Sequence, residues 1–338
     1  MSFLQILWFI LIGVLFSGFF FLDGFDFGVG MAVESLAHTE AERDQVVRTI
    51  GPVWDGNEVW LITAGGAMFA SFPYWYATLF SGYYIILLLI LVSLILRGVS
   101  FEFRAKSPTY HKRIWDWTMA IGSFFAPFFF GIMFISMIKG MPIDANGNIY
   151  GHFFDYINWF SLVGGVALTL LCYLHGMNYI ALKTKGVISE RAQNYAEALY
   201  WILYLGEVIF ALLLIFQTDF IKVHPVLTIL CLVLIVGFSI AAHISVFGNK
   251  QGWALTFSGL TLISLVALIF CGLFPRVMIS SISSKYDLFI HTASSTNYTL
   301  VVMTIATVIL VPCVLAYTIW AYWIFRKRIE MPKIGEVK

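Results

Sequence analysis

Charged residues make up only 12% of this chain of 338 residues, against a hydrophobic share of 60%. A soluble domain usually carries about 25% charge, so a water-soluble fold is excluded and a polytopic membrane protein remains. Cysteine is as sparse: Cys172, Cys231, Cys271 and Cys313 lie inside apolar runs without CxxC or CxxCH spacing. That excludes recognisable zinc, iron–sulfur or covalent haem motifs and leaves four buried apolar side chains. No Lys or Arg precedes the opening apolar run, so a cleavable secretory signal is not expected and the run reads as a retained first span. P-loop, HExxH and GxSxG strings are missing too, which leaves nucleotide hydrolysis and the common hydrolytic sites without support. A net charge of +1 gives no argument for nucleic acid.

What is present is a series of apolar stretches long enough to cross the hydrocarbon core. Nine are expected: 3–34, 53–71, 76–103, 117–138, 158–182, 196–217, 225–247, 253–274 and 298–325. The segment 35–52 reads as a short amphipathic helix on the membrane surface. The chain is therefore expected to be one all-α integral membrane domain over 1–338. Within it, 1–140 would form a first bundle carrying the acidic motifs, 156–280 a second, and 296–326 a final helix. Placing the N-terminus outside puts sixteen of the twenty Lys and Arg residues on the inner side, as the positive-inside rule requires, with the C-terminus cytoplasmic.

Two polar strings interrupt the first two spans: Asp23-Gly24-Phe25-Asp26-Phe27-Gly28-Val29-Gly30 and Trp54-Asp55-Gly56-Asn57-Glu58-Val59-Trp60. Acids at membrane depth are functional by default, because charge there is costly unless protonated, paired or hydrated. The topology places all four carboxyls in the cytoplasmic half. Asp23/Asp26 and Asp55/Glu58 are i, i+3 pairs, each on one helix face. Asp55 is the favoured proton relay, since Gly56 and Asn57 leave room for water and Glu58 is one turn away. Asp23 and Asp26 are supporting acids or structural partners of Arg97, the nearest counter-charge. Gly24 and Gly28 form a small-residue packing pattern.

Glu207, alone among apolar residues in the sixth span, demands a partner or a proton. It reads either as part of a second proton route or quinone head-group site, or as a hydrogen-bond partner of His175 or His243. These two histidines could ligate a haem iron or serve as helix-end donors. The run from Arg97 to Arg113 reads as a solvated positive-inside anchor, and Asp116 as an N-cap between belt tryptophans.

The acidic strings, with Leu61-Ile62-Thr63-Ala64-Gly65-Gly66-Ala67, Ser81-Gly82-Tyr83-Tyr84, Arg97-Gly98-Val99-Ser100-Phe101-Glu102-Phe103-Arg104, Trp115-Asp116-Trp117 and Leu310-Val311-Pro312, resemble subunit II of the cytochrome bd-type quinol oxidases. The likeness is dense in spans one to four, eight and nine, and thin in five to seven. It implies two four-helix bundles plus a peripheral helix, in a bacterial cell membrane. It also implies a partner, subunit I, carrying haem b and haem d, with quinol as substrate and oxygen reduced to water. A small single-helix subunit and a structural quinone or lipid are further partners the family suggests. Asp55 matches the family's acidic residue on the cytoplasmic proton path; Asp23, Asp26 and Arg97 match further charged positions. The rival reading is a proton- or sodium-coupled secondary transporter using the same acids, although such sites tend to lie at the midplane between repeats and no repeat is visible here. A self-contained dihaem cytochrome on His175 and His243 is a third.

Overall fold

A computed structural model describes residues 1–330. Lys333 and Lys338, counted above in the inner tail, lie outside the described residues. The first half of the chain forms α1 (Phe3–Ser35), α2 (Glu40–Ile50), α3 (Trp54–Ser71), α4 (Pro73–Gly82), α5 (Tyr84–Lys106), α6 (Thr109–Lys139) and α7 (Phe153–Tyr156). The second forms α8 (Trp159–Lys183), α9 (Val187–Gln217), α10 (Phe220–Val223), α11 (Pro225–Phe247) and α12 (Gln251–Leu273). It continues through the antiparallel pair β1 (Arg276–Met278) and β2 (Leu288–Phe289) to α13 (Ile290–Ala293) and α14 (Asn297–Ile324).

Local chemistry sets several of these boundaries. Ser2 with Gln5 and Thr39 with Glu42 form reciprocal capping boxes that open α1 and α2. Pro73 stands at the first position of α4, where its missing N–H costs nothing. The third expected span, 76–103, is accordingly divided: α4 ends at Gly82 and α5 carries the crossing.

Eight helices among the described residues are long and apolar enough to cross a bilayer: α1, α5, α6, α8, α9, α11, α12 and α14. The second expected span corresponds to α3, an 18-residue helix that bears Asp55, Asn57 and Glu58 and so falls short in apolar character. At about 1.5 Å per residue it is still about 27 Å long. Helices α5 and α3 flank α6 and α1 in turn, while α8, α9, α11 and α12 pack on one another. The two sets meet where α1 and α6 lie against α8 and α1 lies against α12. Helix α14 touches mainly α1 and α3, and of its residues only Leu300 is buried.

Helix α1 lies very close on α8. A Cβ built on Gly28 would collide with the Cys172 carbonyl and come within 2.6 Å of the Gly176 Cα, and Gly176 faces the Gly28 backbone in return. Glycine at both positions lets the two backbones touch. Helix α2 is tied down through Glu42, whose Oε2 accepts from His38 N (2.6 Å), Thr39 N (3.2 Å) and Arg191 Nη1 (3.0 Å). At the other end, Arg276 makes a two-pronged bond to Asp219 at 2.7 and 2.9 Å, clamping β1 to the α9–α10 turn.

The anchor expected from Arg97 to Arg113 is only partly solvated. Arg104 is buried and reaches Asp116 at 2.5 Å, Glu40 at 3.0 Å and also Asp44. Asp116 is not an N-cap: α6 begins at Thr109, two turns earlier, and Asp116 is buried as the counter-charge of Arg104. The signal was hidden because the partners are 12 and 60 residues apart.

Two outcomes test this framework. Gly28→Ala should lower the thermal midpoint of the purified protein by the equivalent of about 1–3 kcal/mol, whereas Gly237→Ala, with open space at its Cβ, should be near neutral. Burial pushes the Glu42 carboxyl up, but the His38 N–H, the Arg191 guanidinium and the Thr39 N–H outweigh it and hold the group below its ordinary value. Its stabilisation is thus complete above the ordinary glutamate value and is lost as pH falls through the lower folded one. In a melting-temperature profile against pH, Glu42→Gln should flatten that part of the acid limb.

Candidate functional site: an acidic cluster closed by Arg97

Three helices bring the acids together. Asp23 and Asp26 stand one turn apart on α1, Asn57 and Glu58 on the first turns of α3, and Arg97 on α5. Arg97 is fully buried, and its Nη2 donates to Asp23 Oδ1 at 2.7 Å and to Glu58 Oε1 at 2.6 Å. The guanidinium also lies over the Phe27 ring, 4.5 Å from its centre, where the electron-rich face favours a cation. Small residues make the space: a Cβ on Gly122 of α6 would collide with the Ser93 carbonyl and the Arg97 backbone.

Asp26 does not touch Arg97. Its Oδ2 accepts from Asn57 Nδ2 at 2.7 Å, and Asn57 Oδ1 accepts in turn from the Tyr322 hydroxyl at 2.8 Å. Helix α14 thus completes the site from the far end of the chain. Both aspartates are fully buried, and each retains one oxygen, Oδ2 of Asp23 and Oδ1 of Asp26, with no donor among the described residues. The two acids are buried together one turn apart on α1.

Asp55 is placed differently. It is exposed, in the first turn of α3, where unsatisfied N–H groups favour a carboxylate. Gly56 beside it has open space at its Cβ. Glu58, one turn on, is 23% exposed at its side chain and bonded inward to Arg97. The expected Asp55/Glu58 pair is therefore split between surface and interior, and the acids buried together are Asp23 and Asp26. Sequence reasoning named Asn57 only as room for water and gave Tyr322 no role. Nothing in the spacing joins residues 265 apart.

The histidines are occupied otherwise. His175 bonds Ser258 Oγ through Nδ1 at 2.7 Å and the Phe21 carbonyl through Nε2 at 2.9 Å, so neither nitrogen is free for iron. His243 bonds Tyr204 through Nδ1 at 2.8 Å, with Nε2 unpartnered among the described residues. Glu207 bonds neither histidine; its Oε2 accepts from Ser239 at 3.2 Å. Among the described residues, no three His, Cys, Asp or Glu side chains are grouped so as to hold a metal.

Arg97→Met should cost about 3–5 kcal/mol, the usual result of leaving buried carboxylates uncompensated, seen as a lower melting temperature and poorer recovery from the membrane. Adding Asp23→Asn to Arg97→Met should recover part of the loss.

Residues 4–325 match the family described as cytochrome bd terminal oxidase subunit II. The chain is 48% identical over 331 residues to "Cytochrome bd ubiquinol oxidase subunit 2" of Bacillus subtilis, covering 98% of each protein. It is 34% identical over 361 residues to "Cytochrome bd-I ubiquinol oxidase subunit 2" of Escherichia coli, covering 95% of this chain and 93% of that one. Its fold is similar to a chain in the structure of bd oxidase from Geobacillus thermodenitrificans, with a TM-score of 0.74 at 15% identity, over 96% of this chain and 97% of that one. With an acidic cluster at membrane depth, a helical membrane fold and full-length similarity to named members, the chain belongs to the cytochrome bd terminal oxidase subunit II family.

Proposed function

We propose that this chain, as subunit II of a membrane-bound quinol:oxygen oxidoreductase, supplies a cytoplasmic proton path to a partner subunit that reduces oxygen to water. Membership of the family and the names of the relatives support the oxidase role and favour it over ion-coupled solute transport by the same acids. The observation that carries the proton path is the joining of Glu58, 23% exposed, to the buried Asp23 through one guanidinium, with the exposed Asp55 one turn before Glu58 on α3.

Each group has a distinct task in this reading. Asp55 collects a proton at the surface. Glu58, partly exposed and tethered to Arg97, passes it inward by breaking and remaking its ion pair. Arg97 stays charged and keeps the carboxyls from accumulating negative charge. Asp23 and Asp26 hold a proton between them, with Asn57 and Tyr322 fixing the orientation of Asp26. Haem b and haem d, assigned to subunit I, supply electron transfer and oxygen reduction; the occupied nitrogens of His175 support that assignment. The arrangement is further read as two four-helix bundles, 1–140 and 156–280, with the helix 296–326 peripheral, making nine crossings from an outer N-terminus to a cytoplasmic C-terminus. A small single-helix subunit would find room on the exposed length of α14.

Asp55→Asn in the assembled oxidase should cut quinol oxidase turnover about a hundredfold, the lower end of what a positioned proton-transfer group contributes, with haem content and quinol KM unchanged. Asp55→Glu should retain most of the rate. Full turnover in the Asn variant with normal assembly removes Asp55 from the path.

A further inference from the structure

Helices α8, α9, α11 and α12 pack around a cavity of about 80 Å³, to whose wall α1 and α6 also contribute. Each of the six helices supplies a buried apolar side chain: Phe20, Ile135, Leu171, Phe210, Ile235 and Val266. Glu207 is the only polar residue among those lining it. Its Oε2 accepts from Ser239 Oγ at 3.2 Å, and Oε1 has no donor among the described residues. Glycine keeps part of the space open: Gly206 of α9 lines the cavity, and a Cβ built on it meets no atom within 4 Å.

Size and polarity decide what such a cavity can hold. A buried water needs about two to four polar partners, and Glu207 supplies one. Cavities that take a six-membered ring measure about 150 Å³, so a quinone ring or a lipid chain is too large. A void nonetheless forfeits dispersion contacts along its lining, and a small apolar body restores them. On the lipid-facing side, a groove of about 480 Å³ runs between α9 and α11. Val208 and Ile244 on its walls are exposed, on helices long and apolar enough to cross a bilayer. Glu207, Ala211 and Val236 line both the groove and the cavity and so form a neck between them, which the Ser239–Glu207 hydrogen bond braces. Apolar gases are favoured in hydrocarbon over water, so the bilayer supplies the groove with them.

We propose that this cavity binds a small apolar gas, dioxygen in the oxidase, admitted from the bilayer through the neck at Glu207, Ala211 and Val236. Only the naming of dioxygen rests on the oxidase role; the cavity stands without it. Crystals of the complete oxidase pressurised with xenon should show a bound atom among Phe20, Phe210 and Val266. Gly206→Leu, which fills the cavity, should abolish that peak. Leu205→Phe, at an exposed position of the same helix, should leave it. Where Gly206→Leu does not assemble, Ala211→Phe at the neck carries the same test. Oxygen added at fixed xenon pressure should lower the xenon occupancy, and helium should not. No peak in the parent, an undiminished peak in the cavity variant, or oxygen acting no better than helium would each overturn the assignment. Xenon occupancy is read without turnover, so a preparation that binds the gas but does not oxidise quinol sinks the oxidase role and not the site.

Discussion

A single guanidinium holds three helices in register. Arg97 of α5 is fully buried and bonds Asp23 of α1 and Glu58 of α3 through the same nitrogen. Separately, each of these charges at membrane depth would be expensive. Together they fix how far α3 stands along α1 and how α5 is rotated, because a shift of either helix would strand a charge. The glycines follow from that constraint: Gly122 lets α6 approach the Arg97 backbone, and Gly28 with Gly176 draws α8 onto the other side of α1.

The same constraint separates the acids by function. Glu58 and Asp23 are bound to a permanent cation, whereas Asp26 is held by the uncharged Asn57 amide, which the Tyr322 phenol in turn bonds. Asp55, outside this enclosure, is in contact with solvent or with whatever surface covers α3. The network of Arg104, Asp116, Asp44 and Glu40 is a second ionic knot, and it fastens α2 over the ends of α5 and α6.

Much of this was legible in the residues. The apolar runs mark the long helices, and the i, i+3 spacing put Asp23 and Asp26 on one face; Arg97 read as the nearest counter-charge, and it bonds an acid of each string. Direction within a face was not legible. Asp55 and Glu58 have the same spacing as the aspartates, yet one faces out and the other in, because the position of α5 decides which side of α3 is covered. His175 illustrates the other limit: its two bonds go to Ser258 and to a backbone carbonyl of α1, and a main-chain acceptor leaves no trace in sequence. Asp116 was misread as a cap for a similar reason, since its partner lies on the preceding helix.

Helix α14 is fastened by two polar contacts. Near its start, Trp8 Nε1 donates to the Leu300 carbonyl and to Thr304 at 3.3 and 3.1 Å; near its end, Tyr322 donates to Asn57. Otherwise it is almost wholly exposed. Synthesis proceeds from the N-terminus, so Asp23, Asp26, Asn57 and Glu58 enter the membrane long before Tyr322 is made. The hydrogen-bond chain on Asp26 is thus left open while the intervening helices are made and is closed only when α14 is inserted, so the acidic cluster is completed long after its first carboxyls enter the membrane.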